Sequence, residues 1–151
     1  MKQEVVIFDI DGTLANCDHR RKWVDGTNGE KNWDKFFEEM SNDEPITPTF
    51  DFMLMLLRLN TAFIFVTGRP EKYREQTFNW LGKYCPYILG RLLLMRKNDD
   101  MRSDTEVKKE IYEKCIKPHF KVKLVLDDRD SVVEMWRSLG LACWQVAKGN
   151  F

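Results

Sequence analysis

The sequence lacks the marks of several protein classes. Its four cysteines, Cys17, Cys85, Cys115 and Cys143, form no CxxC pair, so zinc ribbons and thioredoxin-type motifs are unsupported. With 8 glycines and 5 prolines in 151 residues, collagen-like and low-complexity chains are excluded. No apolar run approaches the roughly 18 residues of a membrane span, and acids inside the opening run MKQEVVIFDIDG argue against a signal peptide. We therefore expect a cytoplasmic protein with free thiols and no membrane association.

An excess of charge of either sign is also missing. The chain has 24 Lys and Arg against 24 Asp and Glu, a formal net charge of +0. A general basic field that would hold nucleic acid non-specifically is therefore excluded, which leaves only a local basic patch for that purpose. The length of 151 residues predicts a single domain with its own core.

Short apolar runs alternate with helical patterns along this chain. Five runs are typical of buried strands: Glu4–Ile10, Ala62–Thr67, Leu92–Met95, Val122–Leu126 and Ala142–Val146. Four segments with helical spacing lie between them: Phe50–Leu59, Glu71–Lys83, Thr105–Ile116 and Asp130–Leu139. This order predicts an α/β fold, a three-layer Rossmann-like parallel sheet of five strands with helices on both faces.

Residues 16–47 interrupt that alternation. The segment is far longer than an ordinary loop of about 2–6 residues between a strand and a helix. Four apolar residues in it recur at helical spacing: Trp33, Phe36, Phe37 and Met40. We interpret residues 16–47 as a small cap or lid inserted into a single domain spanning 1–151, with a decorative surface helix as the alternative.

The strongest chemical signal follows the first strand. Asp9-Ile10-Asp11-Gly12-Thr13 places two acids on alternate residues, at the kind of strand end where open α/β sheets bind ligands. Two neighbouring carboxylates repel each other unless a cation lies between them. The pair could serve metal binding, nucleophilic attack or proton transfer.

Other predicted elements supply matching groups. Thr67-Gly68-Arg69 ends the second strand, Asp127-Asp128 ends a later one, and Lys108 lies in the helix between them. Singly, Thr67 could cap a helix and Lys108 could be a solvated surface residue. Together they predict one site at the carboxyl edge of the sheet.

This series of motifs resembles the haloacid dehalogenase superfamily of phosphohydrolases. Within that superfamily, Val6–Ala15, Arg102–Ile111 and Lys117–Phe151 are similar to 3′-phosphatase domains of the phage polynucleotide kinase/phosphatase type. The likeness is weak over residues 16–47, where the insertion looks longer, and the chain contains no P-loop or kinase domain.

The resemblance implies a Mg²⁺-dependent phosphatase that works through an aspartyl-phosphate. Asp9 would be the nucleophile and Asp11 the general acid and base, while Thr67 and Lys108 would hold the phosphoryl oxygens. The implied Mg²⁺ ligands are Asp9, the backbone carbonyl of Asp11, Asp127 and Asp128.

Further residues are expected on the substrate side. The implied substrate-binding set is Gly12, Thr13, Gly68, Arg20, Arg69 and Asp104. Arg20 and Arg69 are expected on loops, where they act on the phosphate with little effect on stability, and Asp104 is expected to orient Lys108. A rim for the phosphodiester backbone could form from Arg21, Lys22, Arg96, Lys97 and Arg102. Trp23 and Trp33 could stack on a base, although packing of the lid core is the simpler expectation.

The favoured activity is removal of 3′-phosphates from polynucleotide ends, with a separate kinase or ligase as an expected partner. One alternative is a 5′(3′)-nucleotidase that acts on nucleoside monophosphates with the same chemistry. A distant alternative is a phospho-accepting receiver module. The receiver is disfavoured because its lysine follows its final strand, whereas Lys108 precedes the strand that ends in Asp127-Asp128.

Overall fold

The computed structural model describes residues 1–88 and 90–150. Leu89 and Phe151, the last residue of the predicted domain, lie outside the described residues. In chain order the strands are β1 Gln3–Phe8, β2 Ala15–Asn16, β3 Glu44–Pro45, β4 Phe63–Pro70, β5 Leu92–Arg96, β6 Phe120–Asp127 and β7 Cys143–Gln145. Five of them form a parallel sheet in the order β5-β4-β1-β6-β7. The predicted α/β class and five-stranded parallel sheet are confirmed.

Helices cover both faces of this sheet. They are α1 Trp33–Glu38, α2 Thr47–Arg58, α3 Arg74–Tyr84, α4 Asp104–Ile111 and α5 Asp130–Ser138. A π-helical turn, Tyr112–Ile116, continues α4. Within the described ranges, no helix combines the length and the apolar character that a membrane crossing requires.

Alternate residues of β1 face the two outer layers. Phe8 packs in one core with Phe50 of α2 and with residues of α3. Ile7 packs in the other core with Trp136 of α5. Side chains of a strand alternate between faces, and both faces are buried here, so the strand reads as a continuous apolar run. The central strand is thereby fixed from both sides, which fixes the residues that follow it.

All five strand ends differ from the sequence-based expectation by one to three residues, and two of these differences bear on the site. β1 ends at Phe8, so Ile10 lies beyond the strand rather than in it. β4 continues to Pro70, and its pairing with β5 shifts register between Thr67 and Pro70. Arg69 therefore lies within an irregular strand end, and the expectation that it lies on a loop is wrong.

Residues 16–47 form a compact inserted segment. It contains α1, two 3₁₀ helices and the antiparallel pair β2–β3, whose two-residue strands are too short to show a sequence pattern. A small apolar cluster holds it together: Cys17, Phe36, Phe37, Met40 and Tyr73. Tyr73 precedes α3, so this cluster joins the inserted segment to the main fold. The interpretation of the segment as a lid stays a prediction.

Candidate active site

The polar side chains of the predicted motifs meet at one edge of the sheet. Asp9 directly follows β1, Thr67 lies near the end of β4, and Asp127 ends β6. Because β1 lies between β4 and β6, these positions are neighbours at the carboxyl edge. All three residues are buried. The site is therefore set into the edge of the sheet, away from bulk water.

Asp9 is held in one orientation. Its backbone N–H donates to the Leu126 carbonyl at 3.0 Å, and its Oδ2 accepts a hydrogen bond from Thr13 Oγ1 at 3.0 Å. Its Oδ1 accepts a hydrogen bond from Lys108 Nζ at 2.7 Å. Burial raises the pKa of Asp9 well above its usual range; Lys108 opposes the rise, and neighbouring carboxylates add to it.

Lys108 enters the site from α4. A capping box between Ser103 and Glu106 begins this helix. The Lys108 side chain is buried, donates to Asp127 Oδ2 at 2.9 Å and lies 3.2 Å from Asp104 Oδ2. Burial disfavours its charged form, but the surrounding carboxylates raise the pKa of Lys108 well above its usual value. Lys108 is therefore a buried ammonium among Asp9, Asp127 and Asp104, and its role in holding phosphoryl oxygens stays a prediction.

Three carboxylates form an acidic cluster that could hold a divalent cation. Asp9, Asp127 and Asp128 each offer an oxygen within 4.8 Å of the others. Asp128 Oδ2 is buried and has no hydrogen-bond partner within the described residues. Burial, and then the charge of Asp127, raise the pKa of Asp128 to about 7. A cation bound here would relieve that repulsion, and hard oxygen donors suit such an ion.

The acidic cluster is braced by residues that the sequence analysis left without a role. Trp136 of α5 donates its indole N–H to Asp127 Oδ2 at 3.2 Å. The backbone N–H of Asp130 donates to the Gly149 carbonyl at 2.8 Å. The loop after β6 is thereby fixed by α5 and by the final residues of the described chain. Nothing in the sequence separates a tryptophan that only packs from one that also donates, so this support was missed.

Asp11 lies in a different environment from Asp9. Arg69 binds its carboxylate through two bonds, from Nε to Oδ2 at 2.9 Å and from Nη2 to Oδ1 at 2.6 Å. Arg20 Nη2 also donates to Oδ1. Burial alone would raise the pKa of Asp11, but the guanidiniums of Arg69 and Arg20 lower it well below its usual range. Asp11 is therefore held ionised.

Asp43, which the sequence analysis did not single out, completes this group. Arg20 donates to Asp43 from Nε at 2.8 Å and from Nη2 at 2.5 Å, and Arg69 Nη2 lies 3.4 Å from its Oδ2. His19 Nε2 lies 2.9 Å from Asp43 Oδ1. Arg20, Arg69 and Asp43 are each 0% exposed. We call the four residues Asp11, Arg20, Arg69 and Asp43 the arginine clamp; its two guanidiniums face two carboxylates.

Two glycines of the motifs lie directly against acids. A Cβ on Gly12, where φ is +83°, would come within 2.2 Å of Asp128 Oδ2. A Cβ on Gly68 would come within 2.1 Å of Asp104 Oδ1. Glycine is therefore required at both positions for the close approach of a carboxylate. The part of their amides in phosphate binding, and that of the Thr13 hydroxyl beyond its bond to Asp9, stay predictions.

The site opens into a cleft of about 700 Å³. The acids and Lys108 lie at its floor, and its walls come from the inserted segment and from the loop between β5 and α4. Wall residues include Arg21, Lys31, Trp33, Phe37, Met101 and Arg102. A water molecule occupies about 30 Å³ in the liquid, so the cleft has room for far more than one phosphate group.

A comparison with known protein families shows the family of this chain. The profile of the family described as "Polynucleotide kinase PNKP phosphatase domain" matches residues 3–151. The chain belongs to this family. It is a phosphatase domain of the haloacid dehalogenase type, so the enzyme interpretation is confirmed over the receiver module. The match runs from residue 3 to residue 151, so it includes the inserted segment, over which the sequence motifs resemble the family only weakly.

Individual relatives of this phosphatase domain agree. It is 30% identical over 135 residues to a protein of Autographa californica nuclear polyhedrosis virus that carries the name bifunctional polynucleotide kinase/RNA ligase. That match covers 89% of this chain and 18% of the relative. A chain of the Pnkp1/Rnl/Hen1 RNA repair complex superimposes with a TM-score of 0.84 at 34% identity, covering 99% of this chain and 44% of the other. The chain thus spans less than half the length of these two relatives.

More distant structures share the fold alone. The class C acid phosphatase of Bacillus anthracis, with tungstate bound, superimposes with a TM-score of 0.65 at 17% identity. That match covers 87% of this chain and 54% of the acid phosphatase. The likeness to the acid phosphatase therefore extends to the overall α/β fold.

The position of the two arginines in this phosphatase domain corrects an expectation. Arg20 lies in the 3₁₀ helix Asp18–Trp23 and Arg69 in β4, so neither lies on an exposed loop. Both guanidiniums are buried against Asp11 and Asp43. Their burial argues against the expectation that they contribute little to stability, since removal of either would leave Asp11 and Asp43 with a single guanidinium between them.

The predicted basic rim is only partly assembled. Arg96 lines the cleft, but its guanidinium donates to the backbone carbonyls of Gly68, Asp100 and Arg102. Arg102 also lines the cleft and pairs with Asp100. Arg21 lines it as well, whereas Lys22 and Lys97 do not. The loop before α4 is thus built around the arginines that were expected to meet the substrate.

Proposed function

We propose that this phosphatase domain is a Mg²⁺-dependent polynucleotide 3′-phosphatase in which Asp9 is the nucleophile. The observation that carries the proposal is the fixed Asp9 carboxylate, which is bonded by Lys108 and Thr13 beside two further acids at the base of a wide cleft. The family description and the names of the relatives support a polynucleotide substrate.

In the first step, an oxygen of Asp9 attacks phosphorus. The bond between phosphorus and the 3′ oxygen of the sugar breaks, the oxygen leaves with its electron pair, and a proton from Asp11 neutralises it. Lys108 and Thr67 bind non-bridging oxygens and offset the charge that spreads over them. In the second step, water attacks the phosphoryl group, Asp11 takes the proton, and Asp9 is released as a carboxylate.

The arginine clamp constrains the proton transfers. It holds Asp11 ionised, which suits the base role in the second step. The acid role in the first step requires the pKa of Asp11 to rise. An anionic phosphate near Asp11 would shift that pKa upward by charge repulsion, which is the direction that the acid role requires. The clamp then restores the ionised form once phosphate departs.

The acidic cluster would hold the metal ion. Asp9, Asp127 and Asp128 fit a hard divalent cation, with the backbone carbonyl of Asp11 as the further predicted ligand. Bound Mg²⁺ would supply electrostatic stabilisation of the phosphoryl oxygens. Asp128, whose Oδ2 lacks a hydrogen-bond partner within the described residues, is the better direct ligand, because Asp127 Oδ2 already binds Lys108 and Trp136.

We further propose that the domain works in nucleic-acid repair beside a kinase or ligase activity, as the names of its relatives indicate. Removal of a 3′-phosphate leaves a 3′-hydroxyl, which is the end that a ligase joins. A cytoplasmic location stays a prediction.

One comparison of substrates tests the proposed function. Phosphate release is measured with Mg²⁺ on a 3′-phosphorylated oligonucleotide and on 3′- and 5′-nucleoside monophosphates at equal concentration. The proposal predicts a kcat/KM at least tenfold higher on the oligonucleotide. A preference for the monophosphates would support the nucleotidase instead. Asp9→Asn, assayed in parallel, excludes release by a contaminating phosphatase.

A further inference from the structure

The inserted segment contains two tryptophans in contrasting positions. Trp23 is half-buried in the segment's own core, donates its indole N–H to Glu39 at 2.8 Å, and is capped by the Lys35 ammonium at 4.5 Å. Trp33 is 41% exposed and lines the cleft. Trp23 is explained by packing, and Trp33 is not.

The ring of Trp33 is supported by two phenylalanines of the inserted segment. It stacks on Phe37 with centroids 6.0 Å apart and an interplanar angle of 25°, and it meets the edge of Phe36 at 5.7 Å. Both phenylalanines are buried, at 8% and 7% exposure. Trp33 thus extends an aromatic stack from the core of the segment to the surface of the cleft.

The helix that carries Trp33 is attached to the main fold. Asp34, the next residue, accepts hydrogen bonds from Lys72 Nζ at 2.7 Å and from the Tyr73 hydroxyl at 2.9 Å. Asn32 caps the helix by accepting the Lys35 N–H at 3.0 Å. The indole is therefore held in a fixed position relative to the phosphatase site before any substrate binds.

The surroundings of Trp33 suit a nucleotide more than a bare phosphate. The Lys31 ammonium lies over the Trp33 ring, 6.0 Å from its centroid, and Arg21 lines the same cleft. Base–aromatic stacking beside cationic groups is the usual physical means of holding a single strand irrespective of its sequence. The cleft volume of about 700 Å³ accommodates a nucleoside together with its phosphate.

We propose that Trp33 is the stacking platform for the terminal nucleobase of the substrate, with the 3′-phosphate on Asp9. This inference rests on the proposed polynucleotide 3′-phosphatase function and adds that the end is recognised through an unpaired base. Every base has an aromatic face, so the platform selects a base-bearing end without selecting its sequence.

The test compares Trp33→Ala and Trp33→Phe with the wild type on three substrates. These are a 3′-phosphorylated oligonucleotide, the same oligonucleotide with an abasic terminal sugar, and glycerol phosphate. Glycerol phosphate is chosen because an aryl ester could itself stack on the indole. Trp144→Ala is the matched control, since Trp144 is 57% exposed, packs on Phe52 at 5.8 Å and does not line the cleft.

We expect Trp33→Ala to raise KM for the base-bearing oligonucleotide roughly 5- to 150-fold, the range that stacking of one base gives. Its KM for the abasic oligonucleotide and for glycerol phosphate should stay within about twofold of wild type. Trp33→Phe should retain most of the affinity, because a smaller aromatic face remains. Trp144→Ala should change none of the three.

Two results would overturn the platform. One is an unchanged KM for the base-bearing oligonucleotide in Trp33→Ala; the other is an equal loss on all three substrates, which would show a structural role. These failures differ from failure of the proposed function, which appears in the wild type as hydrolysis of glycerol phosphate without hydrolysis of either oligonucleotide. In that last case both ideas fall together.

Discussion

Asp9 and Asp11 are two residues apart in one motif, yet the fold places them in opposite electrostatic environments. Asp9 lies in the acidic cluster, where burial and neighbouring carboxylates raise its pKa. Asp11 lies in the arginine clamp, where two guanidiniums lower its pKa despite burial. An extended strand would place residues two apart on the same face. β1 ends at Phe8, however, and the chain turns after Ile10, whose carbonyl accepts the backbone N–H groups of Thr13, Leu14 and Ala15. The two side chains therefore meet partners from different parts of the chain.

The two regions differ in how far the chain itself compensates their negative charge. In the clamp, two guanidiniums face two carboxylates through direct hydrogen bonds. In the acidic cluster, the Lys108 ammonium faces several carboxylates, and Asp128 keeps a raised pKa of about 7 although Lys108 and Arg21 lower it. The charges of the clamp are matched within the chain, whereas the cluster keeps an excess of carboxylates that a bound cation would offset.

The largest effect should come from Asp9→Asn, which breaks the acidic cluster at its reactive atom. An amide is nearly isosteric with the carboxylate but is a far poorer nucleophile, so we expect turnover to fall by about 10³-fold or more. Thermal stability should hold or rise, since one of the mutually repelling acids is removed. A rate above about a tenth of wild type, only ~1.4 kcal/mol of barrier, would contradict the assignment.

Removal of metal should be the next largest effect. We expect a chelator to abolish phosphate release and Mg²⁺ to restore it, because the cluster otherwise repels an anionic substrate. Mg²⁺ should also raise the melting temperature of the wild type, by an amount equivalent to about 2.7 kcal/mol at one hundred times its Kd. Full activity after exhaustive chelation would show that the acids do not serve a metal.

Asp128→Asn is the matched variant for that experiment. It should raise the melting temperature in chelator, since it removes repulsion, and should lose the gain that Mg²⁺ gives the wild type. Differential scanning calorimetry with and without Mg²⁺ measures both effects. A variant that keeps the full Mg²⁺ gain would remove Asp128 from the set of ligands.

Arg69→Ala should lose both stability and activity, unlike the variants of the acidic cluster, whose stability should hold or rise. It leaves the half-buried Asp11 and the buried Asp43 short of a cation, so we expect a cost of about 3–5 kcal/mol in the free energy of unfolding. Arg69→Lys should recover only part of the stability, since one ammonium cannot make the two parallel bonds to Asp11. Urea titration of both variants, beside Asp9→Asn, measures the free energy of unfolding. Unchanged stability in Arg69→Ala would contradict the clamp and would support a substrate-binding role for Arg69.

The sequence predicted those site residues that belong to short motifs, and it did not predict residues whose role depends on contacts with distant parts of the chain. The strand-end motifs placed Asp9, Thr67 and Asp127 together, because parallel strands end at one edge of a sheet, and the helix before the last of these strands supplied Lys108. Asp43 could not be foreseen: it is one acid in an irregular segment, and only the folded contacts reveal that it pairs with Arg20 and Arg69.

The apolar pattern of the sequence also could not predict two-residue strands or irregular strand ends. The pair β2–β3 is too short for period-two alternation to show, and the register shift in β4 leaves no apolar signature. Arg69 was consequently expected on a loop, and its burial reversed the expected effect of its removal. The motifs predicted that these polar side chains meet at one edge of the sheet, but they did not separate residues that contact the substrate from residues that support the site internally.

The smallest effect should come from Trp136→Phe, which keeps the aromatic packing and removes one hydrogen bond to Asp127. A bond to a charged acceptor contributes about 1.5–3 kcal/mol, part of which the fold loses. We expect the Mg²⁺ concentration for half-maximal activity to rise several-fold, with kcat at saturating Mg²⁺ little changed. An unchanged Mg²⁺ requirement would leave Trp136 as a packing residue only.

The central claim, that Asp9 carries the phosphoryl group covalently, is tested most directly by stereochemistry. Each in-line displacement at phosphorus inverts its configuration, so a two-step route through Asp9 must give net retention. The measurement is hydrolysis of an oligonucleotide whose terminal 3′-phosphorothioate is made chiral with ¹⁸O, carried out in water enriched in ¹⁷O. Retention in the released thiophosphate is the result predicted here, and inversion would show direct attack by water and contradict the account.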